Sequence, residues 1–167
     1  TMDFIENHPD KPWDWDGISM NPNITMDFIE NNPDKPWNWE WISRNLNITM
    51  KFVKSQLNPK DSISWDWSNI SRNPNITMEI IEKYPDKPWD WEELSYNPST
   101  TMEFVEKYLD KPWDWEELSR NPNITMEFIE KYIDIVLSKI NQLNPKDSIP
   151  WEWISCNPNI TMEFIEK

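Results

Sequence analysis

Carboxylates are the residues in this chain whose type and spacing come closest to supporting chemistry. Adjacent pairs such as Glu92/Glu93 and Glu116/Glu117 could divide acid–base work between one protonated and one ionised group. Each pair falls in the first turn of a predicted helix, where the helix dipole and capping already favour acidic residues. No sequence feature indicates an apolar pocket that would separate the two pKa values. We therefore expect structural acids and no catalytic residue.

The counts of rare residues exclude several other kinds of site. Among 167 residues there is one Gly (Gly17), one Cys (Cys156) and one His (His8). These counts rule out a Cys/His zinc site and an internal disulfide, and they argue against a catalytic triad. Phosphate-binding loops need several glycines, and no Asp-x-Asp-x-Asp-Gly calcium loop is present. We expect no cofactor, no metal and no small-molecule substrate.

The charge balance limits the partners. Sixteen Lys and Arg residues against 30 Asp and Glu residues give a net charge of −14, which repels a phosphate backbone and excludes nucleic acid as a ligand. No apolar run approaches the roughly 20 residues that cross a bilayer, so we expect no membrane insertion. The acids can solvate the surface or attract a basic protein partner. A periodic acidic row could also imitate DNA phosphates and make the protein a decoy.

Self-similarity is the dominant pattern of the chain. Copies of Thr-Met are separated by 24, 24, 28, 24, 24 and 36 residues, and they begin at Thr1, Thr25, Thr49, Thr77, Thr101, Thr125 and Thr161. A fixed period of this size is typical of stacked arrays in which no unit can bury its apolar face alone. The elements that position the acids are therefore repeated units.

Each unit reads as two short helices. The first begins at a Thr cap such as Thr77, where Ile76 and Ile81 have the spacing of a hydrophobic staple, and Pro85 ends it. The second begins at Asp90, with a Glu three residues later as in a capping box. We predict an all-α fold, an α-solenoid of about six 24-residue helix-turn-helix repeats with a Trp-rich core, in a single repeat domain over 1–167.

The Trp-x-Trp pairs allow two interpretations. They could form an exposed aromatic platform for glycans or Pro-rich peptides, or both rings could belong to the core, which we favour because the second Trp recurs at one phase of every copy. Trp41 adds a third ring to one unit and is a candidate partner-facing residue. The predicted structural core comprises Trp13, Trp15, Trp37, Trp39, Trp65, Trp67, Trp89, Trp91, Trp113, Trp115, Trp151 and Trp153.

Two insertions, near residues 54–64 and 131–150, interrupt the period. Both contain Gln-Leu-Asn-Pro-Lys-Asp-Ser-Ile, and they are either plain surface turns or points of partner contact. The candidate partner-facing residues within them are Gln56, Lys60, Asp61, Gln142, Lys146 and Asp147. The recurring Asn-Ile-Thr string matches the N-glycosylation pattern, but capping and turn formation predict the same letters.

The repeated strings resemble a Trp-rich tandem-repeat family of giant DNA viruses of protists. Asp-Lys-Pro-Trp-Asp-Trp followed by Asn-Pro-Asn-Ile-Thr is the pattern that carries the resemblance, and it covers essentially the whole chain. It occurs at Asp86–Trp91 and Asp110–Trp115, with copies at Asp10–Trp15 and Asp34–Trp39. The resemblance implies a viral repeat protein of the host cytoplasm or the virus particle, and it implies no activity.

These observations predict a non-enzymatic scaffold that offers a surface to a protein partner. The first and last residues are copies of one internal string, so we expect a segment of a longer array, whose bare terminal repeats would expose apolar stacking surface. That expectation supports an alternative, a structural component of a virus particle or fibre that self-associates by repeat stacking. The acidic decoy is the third alternative.

Overall fold

The computed structural model describes residues 2–55, 64–132 and 155–162, and these residues form a stack of short helices. No β-strand occurs within those three ranges, so the predicted α-solenoid of helix-turn-helix repeats is confirmed. The two predicted insertions fall largely outside the described residues.

Two helices alternate along the chain, and we call them the A and B helices. The A helices, which follow Thr, are α1 (Met2–Glu6), α3 (Met26–Asn31), α5 (Met50–Ser55), α7 (Met78–Lys83) and α9 (Met102–Lys107), and residues 126–132 are helical at the next A position. The B helices, which begin at the second Trp of each Trp-x-Trp, are α2 (Trp15–Ser19), α4 (Trp39–Ser43), α6 (Trp67–Arg72), α8 (Trp91–Ser95) and α10 (Trp115–Arg120).

Side-chain caps start most of these helices, although the predicted cap Thr77 of α7 makes no side-chain cap hydrogen bond. The Thr101 hydroxyl accepts the backbone N–H of Phe104 at 3.3 Å, and the Asp90 carboxylate accepts that of Glu93 at 3.1 Å. Helices of five or six residues are too short to be stable alone in water. Packing between repeats must therefore supply their stability, and successive B helices do contact one another along the stack.

The core is built from branched aliphatic residues at the staple positions. Ile76 and Leu94 are fully buried at 0% exposure, and Ile81 is buried at 3%. Each staple closes a helix start and also fills the space between helices, so one residue serves the local fold and the core.

Indole rings link each repeat to the next. The second Trp of one unit meets the first Trp of the following unit edge to face, as in Trp15 on Trp37 at 5.0 Å and Trp91 on Trp113 at 5.3 Å between ring centroids. Trp39 on Trp65 repeats the contact at 5.1 Å. Edge-to-face geometry is favourable for aromatic pairs beyond the apolar area that they bury.

A hydroxyl–backbone hydrogen bond also joins neighbouring B helices, and it corrects the predicted capping box. The Asp90 N–H donates to Ser71 Oγ of the preceding repeat at 3.0 Å, and the Asp114 N–H donates to Ser95 Oγ at the same distance. A capping box would have used Glu93 as the acceptor. Ser71 is fully buried, so its hydroxyl is fixed opposite the N-cap while Glu93 turns towards Arg72.

Candidate binding surface

The predicted Trp core divides into two classes. Trp37, Trp65, Trp89 and Trp113, the first rings of their pairs, are 6–7% exposed, and Trp115 is 8% exposed. The remaining described rings are half-buried and pack against the core: Trp13, Trp15, Trp39, Trp67 and Trp91. Trp151 and Trp153 lie outside the described residues.

Lysines cover the outward faces of two half-buried rings. Lys35 lies over Trp15 and Lys111 lies over Trp91, both with the ammonium 5.4 Å from the ring centroid. These lysines belong to the Asp-Lys-Pro turn of the following repeat. The lysine of that turn therefore has a packing role at the repeat junction, which sequence reasoning did not assign.

Trp41, the predicted partner-facing ring, is half-buried in α4. The guanidinium of Arg44 lies 4.5 Å from its ring centroid and also pairs with Glu40 at 3.0 Å. The face of Trp41 on that side is thus already occupied. The other predicted partner-facing residues lie outside the described residues: Gln56, Lys60, Asp61, Gln142, Lys146 and Asp147.

The paired carboxylates are engaged in capping turns and surface ion pairs. Glu116 and Glu117 both contact the Arg120 guanidinium, at 2.6 and 2.5 Å. Glu93 meets Arg72 at 3.4 Å. Such pairs neutralise charge on the helix surface, and the acids in them keep contact with solvent.

A row of exposed acids marks one edge of the stack. The second residue after each helix-A Thr is an exposed carboxylate in five described copies: Asp3, Asp27, Glu79, Glu103 and Glu127. The residue at this position does not enter the core, since its neighbours in the helix supply the buried side chains. The row is therefore a regular surface feature with the period of the repeat.

A ladder of ion pairs runs beside this row. Lys107 meets Glu82 of the preceding repeat at 2.7 Å, and Lys131 meets Glu106 at 2.9 Å. Hydrogen bonds from Lys131 and Tyr132 lower the pKa of Glu106, and the bond to Glu82 raises the pKa of Lys107. Since these groups are exposed, the ladder contributes register more than stability.

The Asn-Ile-Thr strings are part of the stacking. Asn123 Nδ2 donates to the backbone carbonyls of Pro98 and Thr100 at 2.8 and 3.1 Å, and Asn47 bonds the repeat before it in the same way. A glycan would have to be attached at this same amide nitrogen. The turn function of the motif accounts for its sequence.

One set of residues escaped the sequence reasoning although the repeat alignment contains it. In the copy that begins at Thr49, Lys51 and Lys54 stand where every other copy has Asp or Glu. In the next copy Ile80 stands where the others have Phe. Comparison of the copies position by position, rather than by motif, would have found all three.

Known proteins supply no function for this chain. Within the three described ranges no helix combines the length and apolarity that a bilayer-crossing helix needs, and no three His, Cys, Asp or Glu side chains converge as a metal site requires. No protein-family model, curated protein or solved structure matches the chain. The resemblance to viral repeat arrays stays a prediction.

Proposed function

We propose that this protein is a non-enzymatic repeat scaffold that presents its acidic edge to a protein partner. The observation that supports the proposal most directly is the row of exposed carboxylates that follows the helix-A Thr in five of the six described copies. The Asp of the Asp-Lys-Pro turn is exposed in every described copy as well, but Asp86 and Asp110 pair with the adjacent lysine. The row acids form no ion pair among the described residues, and the stack sets their spacing.

A rigid row suits recognition of a partner more than simple solvation. Interfaces gain specificity from charge complementarity at fixed spacing, and a stack whose units are joined by buried hydrogen bonds keeps that spacing, so less conformational entropy is lost on binding. A partner with basic residues at a matching spacing would engage several repeats at once. Such binding weakens as salt screens the charges.

The test neutralises the row and leaves the stack intact. The variant D27N/E79Q/E103Q/E127Q removes four row charges, and D10N/D34N/D86N/D110N removes the same charge from the Asp-Lys-Pro turns as a matched control. Quantitative affinity capture from a cell lysate should recover basic partners with wild type and control but not with the row variant. Equal recovery with all three proteins would contradict the proposal.

A second candidate, self-assembly by repeat stacking, has one observation in its favour. Phe4 is 53% exposed and stacks on His8, whereas Phe28, at the same position of the next repeat, is 4% exposed. Any repeat stacked on this face, whether an earlier repeat of the same array or one from a second copy, would bury Phe4 as Phe28 is buried. Sedimentation velocity over a wide concentration range should then show concentration-dependent association, and a monomer at all concentrations would contradict it.

A further inference from the structure

The pair of A helices α5 and α7 encloses a cleft of about 710 Å³ that interrupts the acidic edge. We call it the lysine cleft, because Lys51, Lys54 and Lys83 line it. Met50 and Ile80 add apolar surface, Ser55, Thr77 and Tyr84 add hydroxyls, and Glu79 is the acid among its described lining residues. Three cations thus gather at one point of a chain with net charge −14.

The same register of the stack is acidic and narrower where the repeat is regular. Between α9 and residues 126–132 the corresponding cleft has about 210 Å³ and is lined by Glu103, Glu106, Glu127 and Lys131. The side chain there that matches Ile80 is Phe128, which is larger. The lysine cleft therefore differs by charge reversal on one wall and by a smaller side chain on the other.

The ion-pair ladder shows which chemical group is missing. Lys107 and Lys131 each form an ion pair with a glutamate of the preceding repeat. By the same register, the partner of Lys83 would be residue 54. That residue is Lys54, so the register assigns two lysines to a position where the ladder elsewhere pairs a cation with a carboxylate. Among the described residues, Lys51, Lys54 and Lys83 form no ion pair with a carboxylate. The charge of Lys54 does act on Asp86, but the ion-pair partner of Asp86 is Lys87, at 3.1 Å.

The two lysines share an aromatic neighbour instead. Lys54 Nζ lies 4.5 Å from the ring centroid of Tyr84 and 3.4 Å from its hydroxyl oxygen, and Lys83 Nζ lies 5.9 Å from the same centroid. Both cations thus lie against one ring, which does not neutralise their charge. Several positive charges that line one cleft favour an anion there.

We propose that the lysine cleft binds an acidic segment of a protein partner, whose carboxylates pair with Lys51, Lys54 and Lys83 as the ladder glutamates pair elsewhere. This proposal rests on the proposed scaffold function and fixes where along the edge the partner sits. The acidic row on both sides repels the same segment, so the segment binds at this junction and the register of the partner is set.

The test restores the regular repeat. In the variant K51E/K54E the third A helix regains the acids of the other copies and the new carboxylate at position 54 faces Lys83, so the fold should be at least as stable as wild type. NMR titration with a peptide of four glutamates should show binding to wild type that is weaker by at least about tenfold in K51E/K54E. The matched control N7D/K11E/N23D makes the same overall charge change at exposed positions of the first repeat and the turn that follows it, and it should bind as wild type does.

The remaining arms establish which group binds in the cleft. A peptide of four glutamines should not bind, and K51Q/K54Q should lose binding without the added acids. Equal binding of tetraglutamate by wild type and K51E/K54E would overturn the proposal, and so would binding of inorganic phosphate without binding of the peptide. Dimerisation of wild type that K51E/K54E abolishes would assign the cleft to a second copy and overturn it too. The acid-row variant should retain tetraglutamate binding, so the two proposals can fail separately.

Discussion

At the residue scale, asparagine side chains are the main polar link between repeats. The Asn side chain that follows a B helix makes two kinds of hydrogen bond. Its oxygen accepts the backbone N–H two residues later, and its nitrogen donates to backbone carbonyls of the preceding repeat. Asn97 shows this fully, with Nδ2 at 2.8–3.0 Å from the carbonyl oxygens of Ser71, Asn73 and Ile76. Because Asn97 is 0% exposed, solvent cannot replace these bonds.

Asn97→Ala should therefore destabilise the protein far more than its size suggests. The change removes the donor to the carbonyls of Ser71, Asn73 and Ile76 and the acceptor for the Ser99 N–H, and we expect a loss of about 2–4 kcal/mol in the free energy of unfolding. Asn97→Asp should cost more, because a carboxylate would face three carbonyl oxygens. Urea unfolding measures both, and exposed Asn31→Ala should stay within about 0.5 kcal/mol of wild type. A small effect at Asn97 would show that the amide ladder is dispensable.

The Glu106 ion pair predicts a pH dependence. Lys131 and then Tyr132 lower the pKa of Glu106, so its stabilising contribution is complete above the ordinary glutamate pKa of 4.5 and disappears as pH falls through the lowered value. NMR titration of the Glu106 carboxyl carbon should give a midpoint below 4.5 in wild type. In K131Q the midpoint should rise towards the ordinary value, and an unchanged midpoint would contradict the role of Lys131.

At the element scale, the indole N–H completes the turn between the A and B helices. Trp37, Trp89 and Trp113 each donate Nε1–H at 2.8 Å to the carbonyl oxygen of the residue five positions earlier. This bond links the end of an A helix to the first Trp of the next pair. Trp65 is as buried as Trp89, yet its Nε1 has no acceptor in the described part of the chain, since the insertion replaces the Pro turn that would provide one.

A matched pair of substitutions separates the hydrogen bond from the ring. Trp89→Phe loses ring volume and also leaves the Tyr84 carbonyl without its donor, whereas Trp65→Phe loses ring volume alone. We expect Trp89→Phe to lower the free energy of unfolding by about 1 kcal/mol more than Trp65→Phe. Equal losses in thermal or urea unfolding would mean that the indole N–H contributes nothing beyond packing.

The elements were predictable because their determinants are local. A Thr or Asp cap, a staple and a following Pro lie within about ten residues of one another, so Thr101, Asp90 and Pro85 identify starts and stops from sequence. The partners of Ser71 and Asn97 were not predictable, because they lie 19 to 26 residues away along the chain and depend on how the repeats stack. Lys51 and Lys54 belong to no sequence motif. Their charge stands out only when the same position is compared in the other copies.

At the scale of the whole molecule, stability belongs to the junctions between repeats. Each short helix is unstable alone, and each junction adds an indole contact, a serine bond and an asparagine bond. Stability in such arrays is approximately a sum over units and nearest-neighbour interfaces. A deletion that keeps the 24-residue period should therefore disturb cooperative folding less than a shorter deletion that breaks the period.

Deletion of residues 102–125 tests this property. It joins Thr101 to Met126, removes one full period of 24 residues and lets Lys131 meet Glu82 as Lys107 does in the intact protein. The shortened chain should keep a cooperative urea transition with a lower midpoint. Deletion of 102–113 removes half a period, sets unlike helices against each other and should abolish cooperative unfolding by circular dichroism. Similar behaviour of the two deletions would contradict a stability that resides in the repeat junctions.

The bonds between repeats also give the array a direction. In both the serine and asparagine series the donor belongs to the later repeat and the acceptor to the earlier one. One end face of any such stack consequently offers acceptors and the opposite face offers donors. Two stacks that met with like faces would set oxygen against oxygen or N–H against N–H. Added units therefore extend this polymer of repeats only head to tail, and an inverted unit would be rejected by hydrogen-bond polarity alone.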